Sequence, residues 1–467
     1  MKLIYSKAMR RIIILLSVLS FVTLVLAGPG FSENGDIFSR VQEHKLDNGL
    51  TVLLLPEPRA PIVTVQIWYR VGSRNEALGK TGLSHLTEHL MFRGTEKYGP
   101  KEFSRLVQQA GGNLNAFTSK DYTAYFETGP KDKLRLFLEL EADRMRNLKI
   151  DEELFLTERK VVMEERRMRT EDDPVQSLYE EMVATAFKAH PYQWPIIGWM
   201  NDISNLTLPD VKAYYNLYYQ PNNATLVVVG DIDPPRALED IKEFFGKIPK
   251  GPEPPPFRSV EPPQQGERWL ELVREAQLPA IFMAYHTPNL EDAEAYPLEV
   301  LSLLLSQGRS SRLQRRLVYE AKSALDAGAF YDFATASPSL FVFYGQPLPG
   351  RSIETLEDLM DAEIEKIKTH LVSEKELTKA KNQAEAAFIL RQDSLFYRGM
   401  LLGRYQTIGD WKKLNEIIPK IRAVTPEEVR RVAQKYLVKT NRTVGVLKPL
   451  KPTRPTTERF IPHDQIR

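Results

Sequence analysis

At 467 residues, with 42% hydrophobic and 27% charged side chains, the chain has the make-up of a globular protein too long for a single core, so two or more domains are expected. It contains no cysteine, which excludes disulfides, a lipid-anchored cysteine and thiolate metal ligands; any metal must be held by histidine and carboxylate. The formal charge of +2 depends on Lys2, Lys7, Arg10 and Arg11; without them it is −2, and no basic patch points to nucleic acid.

The basic start and the apolar run from Ile12 to Ala27 read as a secretory signal, residues 1–27, with Val25-Leu26-Ala27 as the cleavage site. The alternative is an uncleaved membrane anchor, since the run is near the lower limit for spanning. An exported chain without cysteine suits a bacterial periplasm. Residues 28–40 read as a flexible leader. A first domain over 41–249 opens with a strand at Val41, an Asp47-Asn48-Gly49 hairpin turn, a strand over 50–55 and another over 61–70.

The next stretch runs Gly82-Leu-Ser-His85-Leu-Thr-Glu88-His89, continuing to Gly94-Thr95. On a helix, His85 and His89 are i and i+4 and project from one face, a spacing that lets two imidazoles grip one metal ion. Glu88 can reach a water on that metal without being a ligand. This is the His-x-x-Glu-His order, the inverse of the commoner metalloprotease helix.

A helix over 101–109 ends at Gly111-Gly112, and strands follow over 113–118 and 121–128. Helices are expected over 132–147 and 151–169. On the second, Leu154, Glu158, Val161, Glu165 and Met168 share one face, whereas Thr157, Lys160, Glu164, Arg167 and Glu171 form a solvated one. Two carboxylates on an apolar stripe call for a cationic partner, so Glu165 or Glu158 is a candidate third ligand and Glu164 is not. The alternative is a face only partly buried, on which both carboxylates reach water. His190, before a proline in a loop, reads as structural.

Between Ile248 and Gly266 lie Pro249, Pro252, Pro254, Pro255, Pro256, Pro262 and Pro263, so 250–266 reads as a linker. Thr207, Val211, Tyr218, Asn223 and Thr225 recur as Thr425, Val429, Tyr436, Asn441 and Thr443, all at an offset of 218, which points to duplication. The second domain then spans 267–448, before a tail over 449–467. Its helix from Tyr296 to Ser306 takes the place of the His helix and holds no histidine.

With these residues in view, the chain resembles the pitrilysin/insulinase family of inverted-zincin metallopeptidases, in its short bacterial and mitochondrial-processing type. The resemblance covers about residues 41–448 and rests on Leu46-Asp-Asn-Gly-Leu-Thr-Val52, Gly72-Ser-Arg-Asn-Glu76, the His85 motif, Gly111-Gly-Asn-Leu-Asn-Ala116, Glu158 through Glu165, Tyr219-Gln-Pro-Asn-Asn223 and Gly308-Arg-Ser-Ser-Arg-Leu313. It implies an α+β fold of two homologous domains, each a mostly antiparallel sheet covered by helices. It also implies one zinc on His85, His89 and a Glu 76 residues past His89, which is Glu165. Further implications are Glu88 as general base, a supporting Glu158, and a peptide substrate added as a strand near Asn115, Ala116 and Phe117. The implied activity is zinc-dependent endopeptidase cleavage of extended or unfolded peptides; some relatives are instead non-catalytic scaffold subunits. Active relatives carry an Arg and, seven residues later, a Tyr in the metal-free half. Here those places fall on Val318 and Leu325, with Tyr319, Tyr331 and Arg316 out of phase. The expectation is a heterodimer whose homologous partner lacks the His motif and supplies Arg and Tyr, with a homodimer as the alternative.

Overall fold

The computed structural model describes residues 37–450. The expected signal, most of the leader and the tail beyond 450 lie outside the described residues. From Gln42 the described chain forms one compact unit built on two sheets.

The first sheet has β1 (Gln42–Lys45), β2 (Thr51–Pro56), β3 (Ile62–Tyr69), β4 (Asn113–Thr118), β5 (Thr123–Pro130) and β6 (Ala224–Gly230), in the order β1-β2-β6-β3-β5-β4. The Asn48-Gly49 turn joins β1 to β2 as expected, with Gly49 at φ +92°, where a Cβ would be strained. β2 and β6 are the parallel pair at the centre and are apolar almost throughout, as strands covered on both faces must be. β4 forms the opposite edge. Helices α1 (Leu83–Leu90), α2 (Glu102–Gln109), α3 (Leu134–Asn147), α4 (Glu152–Arg166), α5 (Pro174–Ala186), α6 (Met200–Asn205), α7 (Leu208–Tyr218) and α8 (Pro234–Phe245) belong to this half. Val63, Val65, Ile67 and Tyr69 of β3 face a core with Leu83, Leu86 and Leu90 of α1 and Phe155 and Val162 of α4.

Residues 249–266 carry no helix or strand. The second sheet comprises β7 (Arg268–Arg274), β8 (Ala280–Thr287), β9 (Ala324–Tyr331), β10 (Ser339–Pro347) and β11 (Arg442–Pro449), in the order β7-β11-β8-β10-β9. Set β1 aside and the two sheets follow the same path: first strand parallel to last, last beside second, second beside fourth, fourth beside third. Thr207 with Asp210 and Thr425 with Glu428 both close capping boxes. Asn223 donates to the Tyr218 carbonyl at 2.9 Å, and Asn441 does the same to Tyr436 at 2.9 Å. Duplication is thus written into the topology and into individual hydrogen bonds.

The helices of the second half are α9 (Ala295–Ser306), α10 (Ile353–Thr369), α11 (Glu374–Arg391), α12 (Leu395–Ile408), α13 (Leu414–Ala423) and α14 (Pro426–Tyr436). One helix from each half crosses to the other. α5 lays Leu178, Met182, Val183 and Ala186 against Phe282, Ala284, Val342 and Leu447 of the second sheet. α12 lies on β3 and β6 of the first, where Gly403 lets Trp68 approach so closely that a Cβ would sit 2.1 Å from the indole. Arg398 of α12, 2% exposed, pairs with buried Glu57 at 2.6 Å. At the β4–β5 turn, Asp121 accepts the Tyr192 hydroxyl at 2.6 Å and the Ala336 N–H of the second half at 3.1 Å.

Two sequence expectations need correction. The helix expected over 151–169 is α-helical only to Arg166 and continues as a wider π-helical turn, Arg167–Glu171. Its inward face is Phe155, Glu158, Val162 and Arg166, whereas Val161 and Met168 are 41% and 67% exposed. The phase is set by Arg166, which turns inward to Glu180 at 2.7 Å and to the Gly198 carbonyl at 2.8 Å; apolar periodicity alone gives an arginine no reason to be inside.

Candidate metal centre

The His helix is held at its start by a residue outside it. Glu76 accepts the N–H groups of Gly82 at 2.8 Å and Ser84 at 2.7 Å, satisfying donors that a helix N-terminus leaves open. α1 buries Leu83, Leu86 and Leu90, which turns His85, Glu88 and His89 to its other, partly exposed side. α4 packs against α1 and brings two carboxylates to the same place.

One Oε of Glu165 lies 3.2 Å from His89 Nε2 and 3.8 Å from His85 Nε2, and one donor atom from each of the three residues lies within 4.8 Å of the others. Two ligands of one tetrahedral zinc sit about 3.3 Å apart when each bond is about 2.05 Å. The trio therefore fits a single zinc, with nitrogen and oxygen donors only and a fourth position left over. Among the described residues it is the one such group of three or more His, Cys, Asp or Glu side chains. The other Glu165 oxygen is held by Arg169 at 2.9 Å. Glu164 points to solvent and pairs with Arg167. Glu165 thus reaches both the imidazoles and the exposed Arg169.

The charges reinforce one another. Burial works against a charged His89, but Glu158 and Glu165 outweigh it and raise the imidazole to about 9. Burial also works against a charged Glu165, yet His89, His85 and Arg169 bring its carboxyl down to about 2. Glu158, 1% exposed, lies behind the centre: one oxygen is 3.4 Å from His89 Nδ1 and the other pairs with Arg93. It is placed to fix the ring so that Nε2 faces the metal position. Glu88 stands apart from the donor trio and is held through Oε2 by Thr118 Oγ1 at 2.5 Å.

Asn115, Ala116 and Phe117 lie on β4, the edge strand beside α1. Ala116 faces the core shared with α1, whereas Phe117 packs on the other face against Trp68, with ring centres 5.5 Å apart. His190 is buried, with Nδ1 accepting the Tyr192 N–H at 3.1 Å. In the second half, Val318 lies in a π-helical turn, Gln314–Glu320, and Leu325 is exposed on β9. Glu76, Arg93, Thr118 and Arg169 were not singled out in the sequence. Arg93 and Arg169, near the ligands in sequence, had a signal in their spacing, but Thr118 had none.

Residues 51–198 match the family model of insulinase, peptidase family M16, and residues 205–384 match that of the M16 peptidase inactive domain. The zinc protease PqqE of Helicobacter pylori is 36% identical over 409 residues, 86% of this chain and 92% of that protein. An uncharacterised zinc protease of Streptomyces coelicolor is 26% identical over 88% of this chain and 90% of its own length. The crystal structure of a protease from Helicobacter pylori superimposes with a TM-score of 0.85 at 35% identity, covering 88% of this chain and 99% of that one. The M16 inactive domain from Pseudomonas fluorescens shares the fold, with a TM-score of 0.78 at 18% identity over 89% and 99%. With His85, His89 and Glu165 in the stretch matched by the first model, and a repeat behind it whose α9 holds no histidine, the chain belongs to the M16 family of insulinase-type zinc peptidases.

Proposed function

We propose that the protein is a zinc-dependent endopeptidase acting on extended or unfolded peptides. The observation that carries this reading is the convergence of His85, His89 and Glu165 on one point, with Glu88 on the same helix and held to the end of an open edge strand. When bound, zinc supplies Lewis-acid polarisation of the scissile carbonyl and of the attacking water. Glu88 takes the proton from that water and delivers it to the departing amine, so its carboxylate is regenerated in each cycle. Glu158 and Arg93 keep His89 oriented. The peptide pairs through its backbone with β4 at Asn115, Ala116 and Phe117, which gives binding with loose sequence preference.

The likeness to the M16 inactive domain of Pseudomonas fluorescens spans 89% of this chain but, at 18% identity, speaks to the fold alone. The inactive-domain family model matches residues 205–384, which include none of His85, His89 and Glu165, and so bears on the second half. That half presents Val318 and Leu325 where an Arg and a Tyr are expected, so the working enzyme is a heterodimer with a homologous chain that supplies both and lacks the His motif. The signal over 1–27 directs the chain to the periplasm, and no described helix is long and apolar enough to cross a membrane. The test is cleavage of an unfolded peptide by the zinc-loaded protein, alone and with the candidate partner. Chelator-sensitive cleavage supports the peptidase reading; a zinc-loaded pair that never cleaves favours the scaffold role. Full activity of this chain alone, unchanged by the partner, overturns the heterodimer.

A further inference from the structure

We propose that Thr118 is a positioning residue for Glu88 and that, through it, docking of a peptide strand on β4 sets the orientation of the general base. This rests on the peptidase reading and adds a residue to it. A glutamate carboxylate turns readily about its last bond, and its place on α1 does not fix that rotation. The Thr118 hydroxyl, 2.5 Å from Glu88 Oε2, does. A hydrogen bond to an ionised group is of the stronger kind. A threonine hydroxyl also works in both directions: it donates to the carboxylate, and it accepts from the carboxylic acid present after Glu88 has taken a proton.

The strand supplies the second half of the argument. Ser119 N–H donates to the Tyr122 carbonyl at 2.8 Å. Hydrogen-bonded and non-bonded pairs alternate along an antiparallel ladder, so the pairs Thr118–Thr123 and Ala116–Tyr125 are non-bonded. The backbone N–H and C=O groups of Ala116 and Thr118 therefore point away from β5, to the open edge. Ala116 N–H is taken by its neighbour's side chain, Asn115 Oδ1, at 2.9 Å. A peptide joining this edge bonds to the main chain of Thr118, the residue whose side chain holds Glu88. Just beyond Thr118 the strand cannot slip. Asp121 in the turn is tied to Arg74 at 3.1 Å, to Tyr192 and to Ala336 of the second half. The metal-free half thereby steadies the hairpin that aims the base.

Thr118→Val removes the hydroxyl at constant shape, and Thr118→Ser keeps it. With zinc content verified in each variant, Thr118→Val should lower kcat by about tenfold to a hundredfold at unchanged KM, since one hydrogen bond to a charged group is lost. Thr118→Ser should return kcat to near the wild-type value. A raised KM with unchanged kcat would make Thr118 part of the peptide edge alone and overturn the proposal. So would a Ser variant as slow as the Val variant, or a Val variant as fast as wild type. These rates are measured with the candidate partner present, and a wild-type pair that never cleaves would instead count against the peptidase reading. The hydrogen bond is tested separately in the metal-free protein by a thermal double-mutant cycle of Thr118→Val with Glu88→Ala. Non-additive shifts support the contact, and additive shifts overturn it whatever the activity.

Discussion

Zinc uptake should be governed by one proton on His89. In the metal-free protein, burial disfavours the imidazolium, but Glu158 and Glu165 prevail and raise it to about 9. An imidazole becomes a ligand only after losing its proton. At pH 7, about two units below that value, about one molecule in a hundred has the ring neutral. The apparent dissociation constant for zinc should therefore fall about tenfold per pH unit from pH 7 to 9, about a hundredfold in all, and level off above. Glu165, held near 2, stays ionised throughout and adds no slope. Competition against a chelator of known pH dependence measures this, and calorimetry in two buffers should count about one proton released from His89 per zinc at pH 7. A flat affinity between pH 7.5 and 9 would refute the reasoning, because a histidine at its ordinary value is already neutral there. The same two groups shape the stability of the metal-free protein. His89, raised from 6.5, contributes fully below about 6.5 and loses its contribution as pH rises through 9. Glu165, lowered from 4.5, contributes fully above about 4.5 and loses its contribution as pH falls through 2. Their joint plateau lies between about pH 4.5 and 6.5.

Glu88→Gln should keep one zinc per chain and abolish peptide cleavage; loss of zinc from that variant would make Glu88 a ligand. Glu165→Gln should weaken zinc binding by about tenfold to a hundredfold or more, whereas Glu164→Gln, on the solvent side with Arg167, should change it little. The opposite pattern in a chelator titration would place the wrong carboxylate at the metal. Arg398→Met removes the interdomain partner of buried Glu57, which Arg59 still holds at 2.9 Å, and should cost about 1–3 kcal/mol, about 1–4 °C in the melting midpoint of a unit this size. Adding Glu57→Leu should recover most of the loss. A double variant as unstable as the single one would show that packing, not charge, was lost.

Much of the centre was legible because its spacing is helical. Two histidines four apart and a glutamate next to the second define a face without knowledge of the rest of the fold. Glu165 was narrower: its helix face left Glu158 equally eligible, and only the family spacing separated them. The structure separates them by depth, with Glu158 behind His89 and Glu165 in front. The face itself was mis-phased, because Val161 and Met168 were placed on the buried stripe and Arg166 was left off it. Periodicity weighs side chains by polarity, whereas Arg166 is inside because Glu180 and the Gly198 carbonyl await it. The duplication was visible in five paired residues, and the repeated strand order supports it. Thr118 was out of reach. Its contact with Glu88 spans 30 residues and depends on which way the edge strand faces, which no local pattern encodes.

The exchanged helices bear on how such a molecule could be divided. Cut at the proline-rich segment, each piece would keep a sheet whose outer face expects a helix that has left with the other piece. The first would expose Trp68 and Gln66, and the second Phe282, Ala284 and Val342. Neither fragment is a self-sufficient globule, so co-expressed fragments should recover the native fold only by assembling with each other. The arrangement is that of a helix-swapped dimer whose subunits have been spliced into one chain. The splice makes their meeting intramolecular, so the assembly no longer depends on concentration.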